Sequence, residues 1–223
     1  TATTATIGLG FRHSTFSLMA ADANKVSYFT PRFAGFQLGL SYTPETSFNG
    51  PNPNGRALAQ SGLVIEDVVE VALNYAGSFG GVDVGVSGFY VTGDGNGAVF
   101  GLASDPEELG VGVNLGFGGF TLGGAWYQSE DLALTSFALP SLAGFEEEVW
   151  TVGLSYATGP WTVGIAYLDD EISVPGFSTG MTTWQAGGGY NLGSGVDVGL
   201  DLLGASGRQD VRAWILNGAN LLG

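Results

Sequence analysis

From about residue 25 onward, large apolar residues recur at every second position, in short runs broken by Gly, Pro, Asn and Ser. In the stretch FQLGLSYT, Phe36, Leu38, Leu40 and Tyr42 hold one parity while Gln37, Gly39, Ser41 and Thr43 hold the other. A period of two is the signature of a strand with two unlike faces, and the helical period is hard to find anywhere in the chain. The pattern predicts strands in pairs: 25–33 with 36–44, 67–77 with 82–92, 108–117 with 120–128, 148–157 with 161–169, and 182–192 with 196–204, then an unpaired run at 213–222. Within each pair the connection is short and made of turn formers, as in RFAGF, AGSFGG, GFGGF, ATGPW and LGSGV. Between pairs the connections are mostly long. Regular alternation of short turns with long loops predicts an up-and-down antiparallel meander with one trimmed end and one elaborated end.

The two parities differ in more than polarity. One carries Gly39 and Ser41, Ala72 and Asn74, Gly85 and Ser87, Gly112 and Asn114, Gly153 and Ser155, and Gly187, Gly189 and Asn191. Residues this small leave space on their side, which suits a wide hydrated interior better than a packed core. The other parity carries stripes of Val, Leu and Ile, such as Val82, Val84 and Val86 or Val196, Val198, Leu200 and Leu202. Those stripes need an apolar partner, and no amphipathic helix in the sequence supplies one.

Aromatic spacing points to lipid. Phe36 and Tyr42, Phe120 and Trp126, Trp150 and Tyr156, Trp161 and Tyr167, and Trp184 and Tyr190 are each six residues apart. An even separation keeps both rings on the apolar face, roughly 20 Å apart at about 3.3 Å per residue. Two aromatic girdles bracketing an apolar band are the mark of a transmembrane β-barrel. In lipid every backbone N–H and C=O must find an internal partner, so a closed barrel is the only β-solution. The fold class expected is therefore all-β, a transmembrane antiparallel up-and-down β-barrel. About eleven strands are accounted for, which does not fit an even-numbered single-chain barrel, so strands are expected to be missing before residue 25.

Composition narrows the partners. The 223 residues carry 21 acidic side chains against 6 basic ones, a formal net charge of −15. Nucleic acid is excluded as a partner, because binding it needs clustered Lys and Arg to release counterions. Most of the acids fall in or beside the long connections, among them Glu107, Glu108, Glu146, Glu147, Glu148, Asp169, Asp170 and Glu171, and the short turns have none. Cysteine is absent, which removes disulfides, thiolate metal sites and a cysteine nucleophile. No apolar run approaches the length of a membrane-spanning helix, and TATTATIGLG has neither the basic nor the apolar region of a signal peptide.

The stretch VSYFTPRFAGFQLGLSYTPE, followed by VWTVGLSYATGPWTVGIAYL and YNLGSGVDVGLDLL, resembles the general diffusion porins of Gram-negative outer membranes, particularly the alphaproteobacterial type. The resemblance runs from about Arg12 onward. It implies a barrel of about sixteen strands, usually trimeric, seated in outer-membrane lipid and lipopolysaccharide, with an inward-folded third loop that narrows the pore. On that pattern residues 1–223 form a single barrel domain incomplete at its N-terminus, with 1–24 the end of the constriction loop and 25–223 the barrel strands. The short turns would face the periplasm. Two departures are evident: the earlier strands and most of the constriction loop are absent, and the chain ends ANLLG without the terminal aromatic usual in such porins. Both suggest a fragment.

Alternation selects Gln37, Asn74, Asp83, Asn114, Gln185, Asp197 and Asp201 as pore-lining, the plainer reading being ordinary solvated strand faces. The resemblance adds Arg12 and Arg32, since porins of this type set basic wall residues against acids of the constriction loop. Tyr28 shares the parity of Arg32 and is placed with it. GDGNG at 93–97 and EEE at 146–148 are the candidates for loop-bound Ca²⁺ or Mg²⁺, and neither has a full ligand spacing. No other cofactor is expected, and the adjacent Ser14 and His13 do not make a nucleophile and base, so no enzyme is expected. The function expected is a water-filled channel for passive diffusion of small hydrophilic solutes and ions, its acidic balance favouring cations. A substrate-specific porin and a non-conducting structural or adhesive barrel remain as alternatives.

Overall fold

The computed structural model describes residues 15–17, 19–20, 23–46, 64–96, 105–130, 146–174, 177–193 and 195–210. Ten strands follow one another: β1 (Val26–Phe29), β2 (Phe36–Glu45), β3 (Val64–Phe79), β4 (Val82–Asn96), β5 (Glu107–Phe117), β6 (Phe120–Glu130), β7 (Glu146–Thr158), β8 (Trp161–Val174), β9 (Phe177–Gly193) and β10 (Val196–Asp210). They form one antiparallel sheet whose spatial order is the sequence order. Nearest-neighbour hairpins of this kind need no crossover, which is why a repeating pattern of alternation and turns can specify the whole topology. The expected run at 213–222 lies outside the described residues.

Three of the short turns use a pair of residues with positive φ: Ala34 and Gly35 (48° and 88°), Gly80 and Gly81 (58° and 84°), and Gly118 and Gly119 (57° and 86°). Such two-residue turns match the right-handed twist of the flanking strands, and the second residue is glycine in each. At the other end the strands run further than the alternation predicts. Glu107, Glu108, Glu146, Glu147, Glu148, Asp169, Asp170 and Glu171 all lie within strands, not in loops. β9 reaches 17 residues, well beyond the about 9–11 needed to cross a bilayer, so the acid-bearing ends project past the apolar band.

β1 is shorter than predicted. Its ladder with β2 pairs Val26 with Tyr42, Ser27 with Ser41, Tyr28 with Leu40 and Phe29 with Gly39, and then stops. A last backbone bond runs from Thr30 N–H to the Leu38 carbonyl at 2.9 Å, Pro31 has no N–H to continue the ladder, and backbone pairing with β2 returns at the bridge between Phe33 and Phe36. A second irregularity is the bulge between Glu66 and Val69 in β3, where Asp67 has φ 49° and accepts a hydrogen bond from the Tyr42 hydroxyl.

The two sheet faces are chemically distinct. The convex face carries the aliphatic stripes and most of the large exposed apolar side chains, including Leu200 at 71% exposure. The small-residue face is concave and encloses a hollow of about 560 Å³ running from β5 to β10, lined by Asn114, Thr121, Ser155, Gln185 and Asp201 among many glycines. The buried apolar cluster sits on this same side, at its long-loop end, where Met19 and Ala20 pack on Ile65, Val68 and Val91 with Phe89 against them.

Candidate functional site: the concave wall

Strand pairing assigns each side chain to a face, because directly opposed residues point the same way. Gln37 opposes Asn74, which opposes Ser87; Asp83 opposes Gly116; Asn114 opposes Gly85 and Gly123. Gln185 opposes Ala166 and Leu203, Asp197 opposes Asn191, and Asp201 opposes Gly187. All seven side chains selected by alternation thus stand on the concave face. Asn191 Nδ2 donates to Asp197 Oδ1 at 2.8 Å, and the Asp201 carboxylate lies over Gly187, where a Cβ would fall 2.0 Å from Oδ1.

Arg32 reaches this face although it belongs to no strand. Its guanidinium donates to the Gly35 carbonyl at 2.6 Å, to Asn74 Oδ1 at 2.6 Å and to Gln37 Oε1 at 3.3 Å, tying the first short turn to β2 and β3. Tyr28 does not accompany it. The register sets Tyr28 opposite Leu40, on the convex face with Val26, and so corrects its placement in the pore. Parity between Tyr28 and Arg32 is not transmitted, because the strand ends at Phe29. Arg12, His13 and Ser14 lie outside the described residues.

Toward the long-loop end the concave face is filled. Glu108, Glu147 and Asp170 are buried there, on β5, β7 and β8. The Tyr127 hydroxyl donates to Glu108 Oε1 at 2.6 Å, and the Ser17 hydroxyl donates to Glu108 Oε2. Lys25 Nζ pairs with Glu70 Oε2 at 3.3 Å. Two rings lie over glycines of the next strand: Phe29 over Gly39 and Phe89 over Gly110, where a Cβ would come within 2.9 and 2.3 Å of the ring. The sequence reading set Gly39 and Gly110 on the small-residue face and gave Glu70 the same parity, but placed none of the buried acids or rings there. The signal that could have found the acids is parity: Glu108 stands two residues before Gly110, and Asp170 four after Ala166.

The convex face carries all ten aromatics expected at the membrane borders. Phe36 and Tyr75 pack at 4.7 Å between ring centroids, Phe120 and Tyr156 at 4.4 Å, and Trp161 and Tyr190 at 4.5 Å, each beside a short turn. Nearer the long loops, Trp126 opposes Trp150, Trp150 packs on Tyr167 at 5.0 Å, and Tyr167 opposes Trp184. Tyr42 stands at the same end of β2. Tyr75, Phe79, Tyr90 and Phe117 share this face and extend the two belts. Beyond the second belt the face turns acidic: Glu130 stands between Glu107 and Glu146, and Glu148 opposes Glu171. Like charges directly opposed destabilise a sheet. Arg208 offsets part of this, with both terminal nitrogens on Asp169 at 2.7 and 2.8 Å and Nη2 3.3 Å from Glu171. Among the described residues no group of three or more metal-ligating side chains is close enough to hold an ion.

A curved antiparallel sheet with a belted apolar exterior and a small-residue, charged interior is the wall of a membrane-spanning β-barrel. Residues 1–208 match the family model of the Gram-negative porins, and the chain belongs to that family. Its fold is similar to that of a porin structure refined at 1.8 Å resolution, at 20% identity and TM-score 0.55, covering 85% of this chain and 58% of that one. It is also similar to the outer membrane channel DcaP of Acinetobacter baumannii, at 12% identity and TM-score 0.54, covering 90% and 65%. OccAB4 of Acinetobacter baumannii matches at 10% identity and TM-score 0.53, covering 84% and 53%. The chain thus spans less than two thirds of the length of each of these. A stretch of 39 residues is 46% identical to an uncharacterized protein of Rickettsia bellii (strain RML369-C), 18% of this chain and 9% of that one. The protein is a multi-pass outer-membrane β-barrel protein of a channel-forming family.

Proposed function

We propose that the concave face lines a water-filled pore through which small hydrophilic solutes and ions diffuse passively, with a preference for cations. The observation that carries this reading is the make-up of the concave wall toward the short turns: glycine, serine and amide side chains around an open hollow, with Asp83, Asp197 and Asp201 as its acids. Carboxylates along a low-dielectric wall raise the local concentration of cations and lower that of anions. Ser17, Met19 and Ala20 narrow the pore, since Met19 and Ala20 are buried against the wall and Ser17 is fastened to Glu108. In the membrane the protein works as a homotrimer, as the family resemblance implies. The acidic rim beyond the upper belt shares Ca²⁺ or Mg²⁺ with lipopolysaccharide phosphates, which complete a ligand set the protein side chains leave unfinished.

The test is a planar-bilayer recording of the full-length protein under a salt gradient. Stepwise conductance with a reversal potential of cationic sign is expected, and the triple variant Asp83→Asn, Asp197→Asn, Asp201→Asn moves that potential toward zero. Absence of steps would rule out the pore; an anionic sign in the parent protein would rule out the selectivity. Loss of heat stability on chelation in native outer membrane is the expected sign of the shared cations.

A further inference from the structure

On the filled half of the concave wall, buried polar side chains of neighbouring strands adjoin. Glu147 on β7 and Asp170 on β8 are 1% and 0% exposed, and Ser129 on β6, directly opposite Glu147, is 0% exposed. Glu147 opposes Ile172, so Asp170 is its diagonal neighbour on β8, at the about 7–8 Å that long side chains bridge. The Ser129 hydroxyl has no hydrogen-bond partner among the described residues. Two carboxylates withdrawn from water side by side demand a counter-charge, because a buried ion is tolerated only when paired. The hydroxyl between the strands asks in addition for a donor.

The described bases are engaged elsewhere. Lys25 pairs with Glu70, Arg32 holds the first short turn to Asn74, and Arg208 lies on the convex face with Asp169 and Glu171. The remaining bases of the chain are Arg12, His13, Arg56 and Arg212, outside the described residues. Tether length separates them. Ser17 is fastened to Glu108, and Glu108, Ser129 and Glu147 share one register row, so Glu147 lies about 10 Å from that anchor at about 4.8 Å per strand. Arg12 is five residues from Ser17, a length of chain that spans up to about 18 Å. Arg56 stands eight residues before β3 begins, and β3 is four strands from β7, which leaves it about 19 Å of wall to cross. Arg212 has the parity of Arg208, the convex side. Between Arg12 and His13 the donors decide: a guanidinium offers a planar fork of N–H groups, enough for two carboxylates and a hydroxyl, whereas an imidazolium has one N–H on either side of its ring.

We propose that Arg12 is the counter-ion of this pocket, its guanidinium set between Glu147 and Asp170 and donating to Ser129 Oγ. The charge order is then the reverse of the one the family resemblance implies: the acids stand on the wall and the base comes from the chain ahead of Ser17. Paired in this way, Glu147 and Asp170 add nothing to the cation attraction of Asp83, Asp197 and Asp201. That consequence alone rests on the concave face lining a pore, and the ion pairing does not.

The experiment is a mutant cycle read by denaturant unfolding of the full-length protein from lipid vesicles, which needs no conduction. Arg12→Gln is expected to lower the folding equilibrium constant about tenfold in the parent, the scale of coupling between groups in contact, and by about twofold or less in the background Glu147→Gln, Asp170→Asn. Where Arg12→Gln alone does not refold, the triple variant is expected to refold, and the same coupling is read as yield. Arg56→Gln should act equally in both backgrounds. The pairing is overturned by equal effects of Arg12→Gln in the two backgrounds, by a triple variant that fails to refold, or by coupling to Arg56 or His13 in its place. A parent destabilised by chelation while Arg12→Gln is silent overturns it too, in favour of a bound divalent cation.

Discussion

The two halves of the concave face share one sheet and one register, yet one half is open and the other filled. Toward the short turns, Gly85 has nothing nearer to an added Cβ than Asn114 Cβ at 3.9 Å. Toward the long loops, an added Cβ at Gly110 would meet the Phe89 ring at 2.3 Å, and Glu108, Tyr127, Glu147 and Asp170 are buried. Glycine therefore has two uses in one wall. In the open half it leaves water its space, and in the filled half it leaves a ring its space. Composition alone does not separate the two, because what decides is whether a neighbouring strand supplies a large side chain in the same register row.

The comparison can be broken at several points. The largest effect is expected across the sheet: Leu154→Arg on the lipid side should cost about 2–4 kcal/mol, whereas Ser155→Arg, one residue along and facing the open hollow, should change stability by about 0.5 kcal/mol or less. Denaturant unfolding from lipid vesicles measures both, and equal costs would overturn the assignment of faces. Next, Gly110→Ala should cost about 1–3 kcal/mol because the Phe89 ring has to move. Gly85→Ala should instead gain about 0.5–1 kcal/mol, since a strand residue is stiffened without a clash. A smaller effect follows at the filled half's polar contact: Tyr127→Phe withdraws the hydroxyl from buried Glu108 and should lower stability by about 1 kcal/mol. Tyr190→Phe, on the convex belt, should leave unfolding unchanged in the same assay.

Much of this architecture was legible in the chain. The convex face was readable because lipid is a uniform partner: every residue of that parity answers to the same solvent, so alternation survives from Phe36 to Leu202. Three of the short turns were readable because their positive φ favours glycine at the second position. The concave face was only half readable. Gln37, Asn74, Asp83, Asn114, Gln185, Asp197 and Asp201 follow from parity within a strand, but Tyr28 was misplaced because Pro31 interrupts the ladder that would carry parity to Arg32. Glu108, Glu147 and Asp170 look like solvated loop acids in a sequence, and they become buried wall residues only once the strands extend past the membrane. Their register neighbours come from other strands, and Glu108 also bonds to Ser17; no local pattern announces such contacts.

The contact between Ser17 and Glu108 joins residues 91 positions apart, whereas each strand pairs only with its neighbours in sequence. Hairpins close short loops at small entropic cost, and a link of this span closes a long one. Glu108 belongs to β5, so this bond of Ser17 needs all five strands from β1 to β5 in place. A contact of that span forms once the intervening hairpins have paired, so, if the concave face lines a pore as proposed, its bore would be set after the wall around it is built.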